Sequence, residues 1–423
     1  MATKPKLALI PSAYKAGKVY SVLPADGVGD FDFSRPTTAT TVNEDGLIET
    51  VGSNIPRLNY PMIDGVVSGC PSLLLEPQRT NLVTYSEEFD NPAWLTSRAT
   101  ITENSAISPK GDLTADFVEQ QSGQTNSGGC FIALSTSIGD VTLSVFAKAS
   151  TKNWIILGDT NFGSVFGCWF DLQNGVVGTQ VNTVGKIEDY GNGWYRCSIT
   201  YNQTVGTAVN KFIYVADTDN SNAVTDSGGI YIWGAQLEQG SYATSYIPTN
   251  GSTVTREAET CNGAGDASTF NDSEGVLMAD ISALSDSISA YSSIGLGSGS
   301  SNNRIGLGFS QPNSIYVFKK TTSSWFSAKV SNIDEFNKVA ISYNTNDNHF
   351  WLNGFKIASN TTIGDIVQPT ELKFQASYGG ETFYGNTKQI QYFDTALNDT
   401  DLEELTSWRS FNEMAQAQQY TII

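Results

Sequence analysis

At 423 residues the chain is too long for one ordinary core, so two or three domains are expected. Charged residues make up 16% and hydrophobic ones 39%, with 39 glycines, a balance that suits short strands and many turns and excludes a helical or disordered chain. Acidic residues outnumber basic ones 43 to 24, and a net charge of -19 argues against nucleic-acid binding or membrane insertion, because such a surface repels phosphates and anionic lipid.

The opening "MATKPKLALIPSAYKAG" reads as neither a signal peptide nor a membrane span, since its apolar run stops at Pro11. Residues 1–80 lack sustained periodicity, and Pro36, Pro56, Pro61 and Pro71 interrupt any long strand. We expect an extended attachment and oligomerisation arm here, draped over another surface rather than forming its own core.

Alternation becomes legible over residues 81–250. "DVTLSVFAKA" places Val141, Leu143, Val145 and Ala147 on one face, and "VFGCWFDL" does the same for Phe166, Cys168, Phe170 and Leu172. An Asn174-Gly175 turn follows. "WYRCSITY" groups Tyr195, Cys197, Ile199 and Tyr201, and "KFIYVAD" and "GIYIWGAQLE" are further strands. Many short strands at this spacing predict an antiparallel jelly roll.

Residues 251–272 read as a linker. A second β series spans 273–410, with a hairpin signal at Asn353-Gly354. The one helix expected lies in "LNDTDLEELTSW", with Asn398 or Thr400 as N-cap and Leu402 and Leu405 three apart. Residues 411–423 form a polar tail. The predicted fold is therefore all-β: two antiparallel β-sandwich (jelly-roll) domains in series after an extended N-terminal arm.

Five scattered cysteines without a CxxC pair predict free thiols, Cys168 and Cys197 buried, in a chain made in a reducing cytoplasm. One histidine, His349, lies in a polar turn, too little for a zinc site or a catalytic triad. Glycoside hydrolysis needs only two carboxylates, and Asp171, Glu188 and Asp189 are available, though no local signature pairs them. The turn "ADTDNSN" gathers Asp217, Asp219 and Asn222, oxygen donors of the kind calcium takes, against the plainer reading of a solvated hairpin tip. "YSEEFDN" (Glu87, Glu88, Asp90) is a similar cluster.

A stronger signal is a face. On the side of the first sandwich away from its core, alternation places Phe146, Lys148, Trp169, Asp171, Trp194 and Arg196. Rings beside charged groups suit a sugar, the ring covering its apolar face and the charge taking its hydroxyls. The competing reading is that the N-terminal arm, a loop or a neighbouring subunit covers them. Trp325 and Trp351 read as core.

"GLIETVGSNIPRLNYP" followed by "SLLLEPQRTNLVTYSEEFDNPAW" resembles a segment of tailed-bacteriophage virion proteins of the head-fibre, head-spike and tail-fibre kind. There it precedes a carbohydrate-binding-module-like jelly roll, which here would end in "YIWGAQLEQGSYATSYIPT", within residues 35–255. "FNKVAISYNTNDNHFWLNGFKIAS" and "GNTKQIQYFDTALNDTDLEELTSW" are similar to the closing half of a laminin-G or concanavalin-A-like domain. The resemblance implies a non-enzymatic protein on the virion surface, a homotrimer attached to other virion proteins through its N-terminal region and adhering to cell-surface glycans. Relatives of the second module often hold calcium, but no matching ligand set is evident, and no catalytic residue carries over. A purely structural assembly protein and a glycan depolymerase are the alternatives.

Overall fold

The computed structural model describes residues 4–160, 167–223, 225–286, 291–310, 313–320, 324–330, 332–345, 347–361 and 366–408, without the side chains of 324–326. Trp325 is thus outside the described side chains. The architecture is all-β, as its composition predicts, and among the described residues the strand ladders pair antiparallel.

Two six-stranded sheets face each other in the first sandwich. One runs, edge to edge, Ala99–Ile107, Leu113–Gln120, Gly228–Gln239, Gly139–Lys148, Trp194–Gln203, Val184–Asp189. The other runs Leu95–Ser97, Gly129–Leu134, Val209–Ala216, Trp154–Asp159, Gly167–Asp171, Val176–Val181. Of the alternate residues expected inside, Val141, Leu143, Val145, Ala147, Cys168, Phe170, Leu172, Cys197, Ile199 and Tyr201 share one core and Tyr195 is partly buried against it, while Phe166 lies outside the described residues. Cys168 and Cys197 are buried free thiols. The Asn174-Gly175 turn closes its hairpin with Gly175 at φ +65°.

A second core lies between an eight-stranded sheet, five of whose strands fall within residues 275–393, and a five-stranded sheet from the same stretch. The helix Asp399–Thr406 is capped by Asn398, whose side chain accepts from the Asp401 backbone. Its Leu402 and Leu405 cover Trp351 on the outside of the larger sheet, so Trp351 is core.

Residues 1–80 differ from the extended arm expected. Leu7–Leu9 and Ser72–Leu75 both pair with Gly385–Phe393, and Arg57–Asn59 extends the same sheet beyond Ser72–Leu75. Leu7, Leu9, Phe31, Phe33, Leu73 and Leu75 fill the second core. Prolines limit these strands to four residues or fewer, which hides their periodicity without preventing pairing. The expected linker also carries strands: Val254–Arg256 pairs with Arg79–Asn81, and Thr260–Asn262 with Phe31–Ser34. The chain therefore begins in the second sandwich, leaves to build the first, and returns. The first sandwich is an insertion.

One glycine contact joins the two parts. The hairpin Met62–Val67 abuts the turn after Val184–Asp189, where a Cβ on Gly191 would stand 2.3 Å from the Gly65 carbonyl oxygen. Both glycines have positive φ, +73° and +76°, so only glycine allows this approach without strain.

Candidate functional site

The predicted aromatic face divides between two sheets. Phe146 and Arg196 are cross-strand partners in the first sheet, and Trp169 and Asp171 belong to the second. Period-two alternation states which way a side chain points relative to its own sheet; it does not say which sheet the strand joins.

Neither outer face is bare. Phe146 is fully buried with Trp194, Trp233, Tyr246 and Ile48 in a small cluster on the first sheet's outside. The hairpin Ala39–Val51 helps cover it, Thr40 Oγ1 donating to the Tyr246 carbonyl at 2.5 Å. Trp194 donates from its indole to the Ile107 carbonyl at 3.0 Å. Trp169, 2% exposed, packs with Ile156, Phe212 and Ala216, its indole donating to the Ser221 carbonyl at 3.2 Å. Asp171 accepts from the Gln173 and Asn174 backbone and the Asn174 amide, so it caps the Asn-Gly turn. Lys148 is half-buried, opposite Trp194 and close to Gly193. The reading in which the chain itself covers these rings is the one observed.

The calcium donors also part company. Asp217 receives the Lys152 ammonium at 2.6 Å and the Thr225 backbone amide at 2.6 Å. Asp219 accepts from the Thr179 amide and hydroxyl, and Asn222 offers its carbonyl to Ser127. A cationic ammonium already occupies the place where a cation would sit, and among the described residues no three carboxylate, histidine or cysteine side chains converge. These residues do not fit a calcium site.

Where the quoted sequence blocks meet is a buried ionic junction. Arg35, Arg57 and Arg256 face Glu76, Glu238 and Glu259, all six at 3% exposure or less. Arg57 reaches Glu259 Oε1 at 2.9 Å and Glu76 Oε2 at 2.7 Å, while Arg35 binds Glu259 at 2.6 Å. Arg256 holds Glu76 at 2.7 Å, and the Ser245 backbone amide donates to Glu76 at 2.8 Å. Burial alone would raise Glu76; Arg256 and Arg57 hold it far below the ordinary carboxylate value instead. Glu238 fixes the chain after its strand by accepting from Thr244. These charges balance, so the junction is structural.

Beside it opens a cleft of about 470 Å³ between the two sandwiches, a size usual for a small-ligand site. One wall is the first sandwich's edge: Lys186, Glu188 and Tyr190, with Arg196 behind them. Asp334, Glu335 and Phe336 of the second sandwich form the facing wall, and Tyr60 stands between. Arg196, only 3% exposed, donates to Ser144 Oγ at 3.1 Å, and its Nε has no partner. Asp334 Oδ1 and Glu335 Oε2 likewise have none. Such groups are costly to leave unmatched.

The two walls titrate in opposite senses. Burial opposes ionisation of Glu188, but Lys186, 3.0 Å away, and Arg196 hold it below its ordinary value. Burial pushes Asp334 and Glu335 upward. Phe146, Arg196, Glu188 and Asp189, singled out in the sequence, thus all line one cleft; Trp169 and Asp171 do not. Lys186 and Tyr190 flank Glu188 at two-residue spacing, and Glu188 is the cross-strand partner of Arg196. Alternation alone could have found that wall. Asp334, Glu335 and Tyr60 lie in turns or short strands with no pattern to betray them.

Asp116 is a separate buried carboxyl. It accepts from the Phe89 and Asn104 amides, yet burial raises it to about 6. A pKa above the ordinary 3.8 means the folded chain holds this proton more tightly. Its stabilising contribution is full below about 3.8 and disappears as pH rises through about 6. Carbon-13 shifts of the carboxyl should show a midpoint near 6, and one near 4 would contradict this.

No protein-family model matches the chain, and no curated protein matches it. Among solved structures it is similar to the CBM40 of the Ruminococcus gnavus IT-sialidase bound to alpha2,3 sialyllactose: 16% identity, TM-score 0.30, over 34% of this chain and 88% of that one. Another is Domain 4 of AbnA, a GH43 extracellular arabinanase from Geobacillus stearothermophilus, in complex with arabinotriose: 13% identity, TM-score 0.30, over 40% and 84%. At these scores neither likeness bears on what this chain binds.

Proposed function

We propose that this chain is a non-enzymatic adhesion protein of a bacteriophage virion that holds a glycan in the cleft between its sandwiches. The observation that carries the reading is the cleft itself, where partly exposed Tyr60, Tyr190 and Phe336 stand beside Glu188, Asp334 and Glu335. Rings offer faces to a pyranose, and the partly exposed Glu188, Asp334 and Glu335 side chains accept its hydroxyls. Carboxylates outnumber Lys186 and Arg196 in the lining, which favours a neutral sugar over an acidic one. The virion setting comes from the sequence blocks quoted above. A homotrimer attached through residues 1–80 would use the outward side of that region, where Ile10, Tyr14 and Val22 are exposed. Several copies on one particle would turn weak sites into avidity.

Glycan-array binding of the intact chain tests this. Tyr60→Ala and Glu188→Gln should each weaken binding about tenfold, the loss of one stacking or charged contact, while Trp169→Ala leaves sugar affinity unchanged. Silence on every glycan would favour a purely structural virion part, and unaltered binding by both cleft variants would move the site elsewhere. The opposite displacement of Glu188 and Asp334 favours one second reading, a depolymerase with Asp334 as acid. Reducing-end release that Asp334→Asn abolishes would establish it.

A further inference from the structure

At one end of the first core, three positions that alternation assigns to the interior are polar. Lys211 continues the inward row of Ile213 and Val215, Asp159 that of Ile155 and Leu157, and Gln203 that of Ile199 and Tyr201. Asp159 and Lys211 are directly opposed on hydrogen-bonded strands, and the Lys211 ammonium contacts Asp159 Oδ2. From the opposite sheet, the Tyr201 hydroxyl donates to the same Oδ2 at 2.7 Å, and Gln203 Oε1 accepts from Lys211 Nζ at 3.2 Å. Exposure is 0% for the Lys211 side chain and 2% for that of Asp159. Among the described ion pairs, no other joins a lysine and a carboxylate that are both so buried; Lys152, for example, pairs with Asp226, which is 72% exposed.

We propose that Lys211 and Asp159 become joined by a side-chain amide, a covalent staple across the two strands. Without water to solvate it, a buried ion pair gains little over the neutral amine and acid formed by moving one proton between them. Burial lowers the Lys211 ammonium in spite of the adjacent carboxylate. The Nζ lone pair then adds to the Asp159 carboxyl carbon, and the Tyr201 hydroxyl stabilises the oxyanion on Oδ2. The carbon's bond to its other oxygen breaks, and that oxygen leaves as water with two of the three ammonium protons. The third stays on the amide nitrogen, and nothing is oxidised or reduced. Opposed strands hold nucleophile and electrophile together, supplying the proximity that free amines and acids lack. The staple would close a chain separation of 52 residues, and it is independent of what the cleft holds.

Intact mass of the full chain under denaturing conditions decides the matter, because folding of a variant is not needed. The expected mass is about 18 Da, one water, below that of the sequence, and a proteolytic digest should yield a branched peptide joining the segments around 159 and 211. Lys211→Arg and Asp159→Ala should each return to their full calculated masses. A wild-type chain of full mass, or a deficit mapping to another position such as an imide at Asp45-Gly46, would overturn the proposal.

Discussion

Replacing Glu259 with alanine is expected to lower the unfolding free energy by about 3–5 kcal/mol, the usual consequence of removing one partner from a buried ion pair. Glu259 receives both Arg35 and Arg57 and also accepts from the Glu76 backbone amide at 2.9 Å. Its loss leaves two guanidinium groups, neither exposed: Arg35 with only the Thr37 and Gly52 carbonyls, and Arg57 sharing Glu76 with Arg256. The penalty is desolvation that Coulomb attraction no longer offsets, so added salt should restore little of it. Chemical denaturation monitored by tryptophan fluorescence measures the effect. A loss below about 1 kcal/mol would mean that the junction behaves like an exposed salt bridge. Because Arg35, Arg57 and Glu76 precede the first sandwich while Arg256 and Glu259 follow it, the same substitution should make the connection after residue 250 more open to proteolysis.

Phe146→Ala is expected to cost about 3–5 kcal/mol, in the range for deleting a buried phenylalanine ring. An outward sugar platform would predict lost binding and unchanged stability. Here the ring is fully buried and meets Tyr190 edge-on with centroids 4.9 Å apart and Trp233 at 5.4 Å. The Arg196 guanidinium lies 5.4 Å from its centroid. The substitution should therefore lower the thermal midpoint, and any effect on glycan binding should come through the loosening of Tyr190 and Arg196. A variant that keeps wild-type stability would show that the arm covering this face is readily displaced.

The cleft was partly legible in the sequence. Alternation places Phe146 and Arg196 on one face, and Glu188 and Asp189 stand in the sequence as candidate hydrolytic carboxylates that no local signature pairs. Their joint place in one wall follows from the pairing of Val184–Asp189 with Trp194–Gln203. The facing wall was not legible, since Asn332–Phe336 is a connection with no period to read. Trp169 and Asp171 share the outward parity of Phe146 and Arg196 but lie on the other sheet, and that is as far as parity goes. The acidic turn read as a candidate calcium site fails for a similar reason: Lys152, which neutralises Asp217, lies 65 residues away.

By itself the sequence determined the all-β class, the inward rows of the first core, the Asn-Gly turns and the place of the single described helix, whose cap it narrowed to Asn398 or Thr400. Each of these is a local matter, set by the two-residue period of a strand or by the backbone preference of a few neighbouring residues. Tertiary structure alone decided that Leu7–Leu9, Arg57–Asn59 and Ser72–Leu75 join the second sandwich, with Ser72 bonded to Asn386 across 314 positions, while the hairpin Ala39–Val51 lies on the first. It also decided that the outer rings are covered and that six buried charges meet at the junction. Burial of an outer face depends on what lies on it, and here the cover over Phe146 comes from a segment remote in the chain, the hairpin Ala39–Val51, whose two strands pair with each other.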